Sequence, residues 1–184
     1  GSGRKIISAL GSDVHTLSYF PFIPFLYKWI FKRVDGVIYN APTMKKRITY
    51  LHAQNIQYIP TPVNSSIFRY LPKITKLPKF VFIGRLTKEK GIEILLKSFF
   101  KVLQTLPNAK LTIIGEGPER NYILDFVKTN NIQNCIRIFG AMNGLDIAKI
   151  VGESYALLLP SFKEGLPAVV LEAMSVGRPI VATK

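Results

Sequence analysis

The residues best placed to do chemistry lie in the run Pro160-Ser161-Phe162-Lys163-Glu164-Gly165-Leu166-Pro167-Ala168-Val169-Val170-Leu171-Glu172-Ala173-Met174. An apolar strand ends at Pro160, a loop carries Glu164, and a helix opens at about Pro167, where a missing N–H is no loss. The unpaired backbone N–H groups and the dipole at such a helix start suit a phosphate or diphosphate. Glu164 falls beside that anion site, and Glu172 about five residues into the helix, roughly 7 Å further along. That distance is about the step from a diphosphate to a ribose hydroxyl edge, so both carboxylates suit the binding of hydroxyls. A second loop, Gly84-Arg85-Leu86-Thr87-Lys88-Glu89-Lys90-Gly91, puts Arg85 and Lys90 at a strand's carboxyl end, where they can neutralise a diphosphate. Taken singly, each feature has a plainer reading: Glu164 as a helix-start carboxylate, Glu172 as a solvated helix residue, and the cationic loop as a solvated charge run.

The elements that would position these residues form a regular alternation. Lys79–Ile83 reads as a short buried strand, followed by a helix over Gly91–Leu106 in which Ile92, Leu95, Leu96, Phe99 and Leu103 recur at helical spacing. The pattern repeats as strand Lys110–Ile114 with a helix over 118–129, and strand Ile136–Phe139 with a helix over 145–152. A fourth pass gives strand Ala156–Leu159, a helix over 167–176 and a last strand Ile180–Ala182. Apolar strands separated by helices predict an α/β fold with a doubly wound parallel sheet, whose ligands sit at the carboxyl ends of the strands. The first part of the chain alternates less regularly: strand Lys5–Leu10, helix Phe25–Val34, strand Gly36–Tyr39, helix Pro42–His52 and strand Gln57–Ile59. Pro60, Pro62, Pro72 and Pro78 punctuate the stretch between, so a linker is expected near 72–78, dividing the chain into units 1–73 and 78–184.

Strand–Gly84-Arg85-Leu86 with Lys90-Gly91, then Ile113-Ile114-Gly115-Glu116-Gly117-Pro118, Phe139-Gly140, Leu159-Pro160-Ser161 with Glu164-Gly165-Leu166-Pro167, Glu172-Ala173-Met174 and Gly177-x-Pro179 closely resemble the family 4 glycosyltransferases over residues 80–184. The resemblance implies retaining, nucleotide-sugar-dependent enzymes of the GT-B architecture, with two Rossmann-like domains, here the first incomplete and the second nearly complete. It implies that Glu164 and Glu172 form the family's paired-glutamate motif, with Glu164 on the donor sugar and Glu172 on the ribose. It further implies that Arg85 and Lys90 hold the departing diphosphate and that Gly165, Leu166, Pro167 and Ala168 line the donor cradle, Pro167 itself having no N–H to donate. The base would lie against the backbone at Ala141 and Met142. The donor, UDP-, GDP- or ADP-linked, is a substrate, so no separate cofactor is implied. Without an Asp-x-Asp sequence, a divalent-metal clamp is not indicated. Ala9-Leu10-Gly11-Ser12-Asp13 resembles the acceptor-domain segment His-Gly-x-Asp, with Leu10 standing in the His position, Asp13 as a contact and His15 displaced.

The 184 residues carry a formal net charge of +14, unevenly placed. Residues 1–79 hold 12 Lys and Arg against Asp13 and Asp35, a net of +10, whereas the remaining 105 hold 13 against 9, a net of +4. The first unit therefore faces something anionic. In Tyr19–Arg33, aromatics alternate with Lys28, Lys32 and Arg33, and Lys45-Lys46-Arg47 follow on the next helix. That combination suits a lipid interface with anionic headgroups; it equally suits a helix whose apolar side is core and whose cations are its wet face. At 48% hydrophobic the chain excludes a disordered polycation. Cys135, alone of its kind, excludes an internal disulfide and fits a reducing, cytoplasmic setting, peripheral on the inner membrane face if the lipid reading holds. No apolar run reaches the ~18–20 residues that a spanning helix needs. An oxidoreductase would need a G-x-G-x-x-G, which Gly115-x-Gly117 does not continue, and a nucleic-acid binder has only the charge to support it. The partners expected are thus a nucleotide-sugar, a glycan or lipid-linked acceptor and an anionic membrane, and no nucleic acid. The resemblance also implies that these residues are the middle of a larger enzyme, lacking both ends and inactive or feeble alone.

Overall fold

The computed structural model describes residues 3–9, 21–72, 77–162, 164 and 166–183. Leu10, Gly11, Ser12, Asp13, His15, the expected linker residues 73–76, Lys163 and Gly165 lie outside the described residues. Contacts divide the chain into two compact units, one running to Pro62 and including Glu164–Pro167, the other comprising Val63–Lys163 and the residues from Ala168.

In the first unit, strand β1 (Ile6–Ala9), helix α1 (Ile23–Phe31), strand β2 (Gly36–Tyr39), helix α2 (Lys45–Tyr50) and strand β3 (Ile56–Tyr58) follow one another. The strands are parallel in the order β1-β2-β3. Helix α1 starts two residues before the expected Phe25 because Pro24 fits its first turn. The expected Pro42–His52 helix divides into a 3₁₀ turn, Pro42–Met44, and α2. Ala9, Phe31, Val37, Tyr39, Met44, Ile48 and Leu51 form the core, and Leu166 packs against it. Asp35 ties the strand starts together: its carboxylate accepts from the Lys5 N–H at 2.6 Å, and its carbonyl from Asn55 Nδ2 at 2.9 Å.

The second unit alternates strictly: β4 (Lys79–Ile83), α3 (Ile92–Thr105), β5 (Lys110–Ile114), α4 (Arg120–Thr129), β6 (Ile136–Phe139), α5 (Gly144–Gly152), β7 (Ala156–Leu159), α6 (Ala168–Val176) and β8 (Ile180–Ala182). All five strands are parallel, in the order β6-β5-β4-β7-β8. Because side chains alternate along a strand, one sheet feeds two cores. Phe82, Leu111 and Ile113 join Leu96, Phe99, Ile123 and Val127 of α3 and α4. Val81, Ile114 and Leu157 join Ala148, Val151, Ala173 and Val176 of α5 and α6. Burial on both faces explains why the strands read as continuous apolar runs.

The unit boundary falls earlier than the sequence suggests. Residues 63–72, read there as part of the first unit, pack with the second. Phe68 is buried in the α5–α6 core, and its carbonyl accepts from Ser175 Oγ at 2.7 Å. The Leu71 N–H donates to the Val176 carbonyl at 3.2 Å, and the Leu71 carbonyl accepts from Arg178 Nη2 at 2.6 Å. A buried phenylalanine and three hydrogen bonds hold this irregular segment where proline punctuation alone suggests a break.

Candidate functional site

In the second unit the chain runs β4, β5, β6 in one direction and then crosses to β7 and β8 on the other side of β4. The order therefore reverses between β4 and β7, and the loops after these two strands meet at the carboxyl edge, the usual ligand position in open α/β sheets.

The loop after β4 is fixed from both sides. Gly84 donates its N–H to the Ile114 carbonyl at 3.0 Å, and Leu86 donates to the Glu116 carbonyl at 2.8 Å. The Leu86 side chain is fully buried while Arg85, its neighbour, is exposed. A core anchor at one position thus turns the guanidinium outward at the previous one. The loop then makes a 3₁₀ turn, Lys88–Lys90, and ends at Gly91 with φ 68°. A Cβ there would stand 1.9 Å from the Pro160 carbonyl oxygen, so only glycine lets this loop close against the end of β7. Phe162 adds an N–H bond to the Glu89 carbonyl at 2.9 Å. Gly115, at φ 145°, lets the loop after β5 approach in the same way, since a Cβ would stand 1.9 Å from the Gly84 carbonyl oxygen. Gly117 makes a like approach, its Cβ position 2.4 Å from the Leu86 carbonyl oxygen, so close backbone contact is what the Gly115–Gly117 turn supplies. Thr87 Oγ1 and Ser161 Oγ, one in each of the flanking loops, are buried without a hydrogen-bond partner among the described residues.

Across the switch point, α6 begins at Ala168, immediately after Pro167. Glu172 is the fifth residue of the helix and is half-buried, and burial holds its carboxyl above the ordinary value of 4.5 by disfavouring the charged form. A half-buried carboxylate accepts hydroxyl hydrogen bonds more strongly than one in open water. Met142 lies in the loop after β6, partly buried against the α5–α6 core. Asn143 caps α5 next to it, its Oδ1 accepting from the Asp146 N–H at 3.0 Å.

Four of the nine residues singled out from sequence, Arg85, Lys90, Met142 and Ala168, therefore lie beyond the carboxyl ends of one sheet, and a fifth, Glu172, lies midway along α6. Glu164, Leu166 and Pro167 do not group with them as the 78–184 boundary implied: their contacts place them in the first unit, where Leu166 finds apolar partners. Gly165 lies outside the described residues. Among the described residues no cluster of three or more His, Cys, Asp or Glu stands close enough to hold a metal ion, and no helix is long and apolar enough to cross a membrane.

Comparison with known proteins bears on the second unit as a whole. Residues 64–184 match the family profile described as Glycosyl transferases group 1. The chain belongs to the group 1 glycosyltransferases. Among its relatives, an uncharacterized glycosyltransferase of Methanocaldococcus jannaschii is 30% identical over 180 residues, covering 90% of this chain and 43% of the relative. The glycogen synthase of Mycobacterium tuberculosis is 24% identical, covering 97% of this chain and 42% of its own length. Among solved structures, the G117R mutant of S. aureus TarM in complex with fondaparinux, alpha-GlcNAc-glycerol and UDP superposes with a TM-score of 0.81 at 19% identity, over 97% of this chain and 36% of TarM. The likeness bears out the expected α/β fold of GT-B type. This glycosyltransferase chain spans less than half the length of these relatives.

Proposed function

We propose that this glycosyltransferase moves a sugar from a nucleotide-diphosphate donor to a lipid-linked or polysaccharide acceptor with retention of configuration. In that reaction the bond between the sugar C1 and the diphosphate oxygen breaks and its electron pair leaves with the diphosphate. The acceptor hydroxyl oxygen bonds to C1 and sheds its proton. The observation that carries the reading is the closure, across the switch point of one sheet, of a hydrogen-bonded cationic loop onto the end of β7, the strand that α6 follows. Arg85 and Lys90 on that loop oppose the charge that builds on the leaving diphosphate, and because the loop is already held in place they need little reorganisation to do so. The N–H groups at the start of α6 add to this, and Glu172 takes the ribose hydroxyls. By family resemblance Glu164 contacts the donor sugar, with Gly165, Leu166, Pro167 and Ala168 lining its cradle and Met142 beside the base.

The UDP bound to TarM supports a UDP-linked sugar as the first donor to test, ahead of GDP- and ADP-linked ones. The donor enters as a substrate and not as a resident cofactor. The free Cys135 thiol supports a reducing, cytoplasmic setting. Calorimetric titration of the full-length enzyme with UDP-, GDP- and ADP-sugars tests the assignment, with Arg85→Ala and Glu172→Ala as comparisons. One donor class should bind and both substitutions should weaken it; binding indifferent to both substitutions sinks the site.

A further inference from the structure

Two buried hydroxyls lie where the loops after β4 and β7 meet, and the contact between these loops has a register. The Phe162 N–H donates to the Glu89 carbonyl at 2.9 Å, and Gly91 packs against the Pro160 carbonyl with no room for a Cβ. One residue on each side lies between these two contacts, so Ser161 sits opposite Lys90. The Ser161 carbonyl is engaged, accepting from Thr183 Oγ1. Its side chain is not: the residue is only 5% exposed, and Oγ has no hydrogen-bond partner among the described residues.

Thr87 meets the same lysine from within its own loop. It is the N-cap of the turn Lys88–Lys90, with the extended backbone usual at that position, φ −125° and ψ 159°. A threonine there ordinarily accepts with its hydroxyl from an N–H two or three residues on. Here the Lys90 N–H goes to the Thr87 carbonyl at 3.0 Å, the side chain makes no cap bond, and Oγ1 is buried without a partner among the described residues. An unpaired buried hydroxyl costs stability, so such groups are few and each calls for a physical reason. Packing does not supply it, because alanine at 161 and valine at 87 would fill nearly the same space without the polar atom. The lysine between them does: an ammonium group has three N–H donors to place, and a hydroxyl oxygen can accept one of them.

We propose that Ser161 and Thr87 are positioning residues for Lys90, and that their hydroxyls gain hydrogen bonds when a donor diphosphate draws that ammonium group into the site. The inference rests on the donor role of Lys90 and adds the two groups through which the lysine is placed. The test titrates the full-length enzyme calorimetrically with UDP, GDP and ADP. For the diphosphate that binds the wild type, Ser161→Ala and Thr87→Val should each weaken affinity about fivefold, the worth of one ordinary hydrogen bond. Thr87→Ser, which keeps the hydroxyl, should retain wild-type affinity. Beside Lys90→Met neither substitution should weaken binding further, because a group that acts through the lysine then has nothing to place. Thermal melts without nucleotide should show no loss of stability in Ser161→Ala or Thr87→Val, since each removes a buried hydroxyl that has no partner. Undiminished affinity in both variants, effects that add in full to that of Lys90→Met, or a lowered melting temperature without nucleotide, as hydroxyls already paired through water would give, each overturns the proposal. A wild type that binds none of the three diphosphates sinks the donor reading itself, and this inference with it.

Discussion

Arg85 owes its exposure to Leu86: the buried leucine anchors the loop, and the adjacent side chain must point the other way. If the guanidinium stabilises the leaving diphosphate, Arg85→Ala should lower kcat/KM about 100-fold in the full-length enzyme, with little change in melting temperature because the side chain is exposed. Steady-state kinetics with thermal melts separate the two effects. Glu172 has a different balance. Burial raises its folded pKa above the ordinary 4.5, so the folded state binds more protons than the unfolded state from about that value up to the raised one. Stability from this group is thus greatest at low pH and falls as pH rises through that window. Glu172→Gln should therefore leave the melting temperature at neutral pH unchanged or raised while weakening nucleotide binding. A lowered melting temperature with undiminished binding would contradict both parts. In the wild type, protonating Glu172 should weaken nucleotide binding at pH values above those where an ordinary glutamate would act, and the Gln variant should lose that dependence.

Among the elements, the loop between β4 and α3 depends on a backbone conformation that a side chain cannot share. Gly91→Ala puts a Cβ 1.9 Å from the Pro160 carbonyl oxygen at a φ of 68°, so it should cost at least about 2 kcal/mol, part of it from the left-handed backbone alone. Urea unfolding measures that loss. Nucleotide titration should show weaker binding as well, because the same shift moves the carrier of Arg85 and Lys90. The glycine was legible as part of a motif, but its partner was not: nothing in the local sequence says that a loop after one strand touches the end of another 76 residues later. The limits of α1 were similarly half-legible. Its aromatic residues announce apolar faces, yet only packing against β1 to β3 decides which face is core and which remains outside.

For the whole molecule, the boundary between units is the point where tertiary contacts overrule local signals. Excising residues 63–184 should give a more stable product than 78–184, by at least about 3 kcal/mol, because the shorter piece loses the burial of Phe68 and the bonds from Ser175, Arg178 and Leu71. Equal urea midpoints would show that residues 63–72 are a linker after all.

The strands of the second unit were readable because each is buried on both faces and therefore apolar throughout, and the helices because their core-facing residues recur at helical spacing. Those local patterns, with the glycines and charges between them, determined the doubly wound sheet and put Arg85 and Lys90 at its carboxyl edge and Glu172 in the helix that follows β7. Only the tertiary structure decided that 63–72 belong with the second unit, that Leu166 finds its apolar partners in the first, and that α1 keeps an uncovered face. Each of these depends on contacts between residues far apart in sequence, whose energies are set by shape and burial and leave no local period to read.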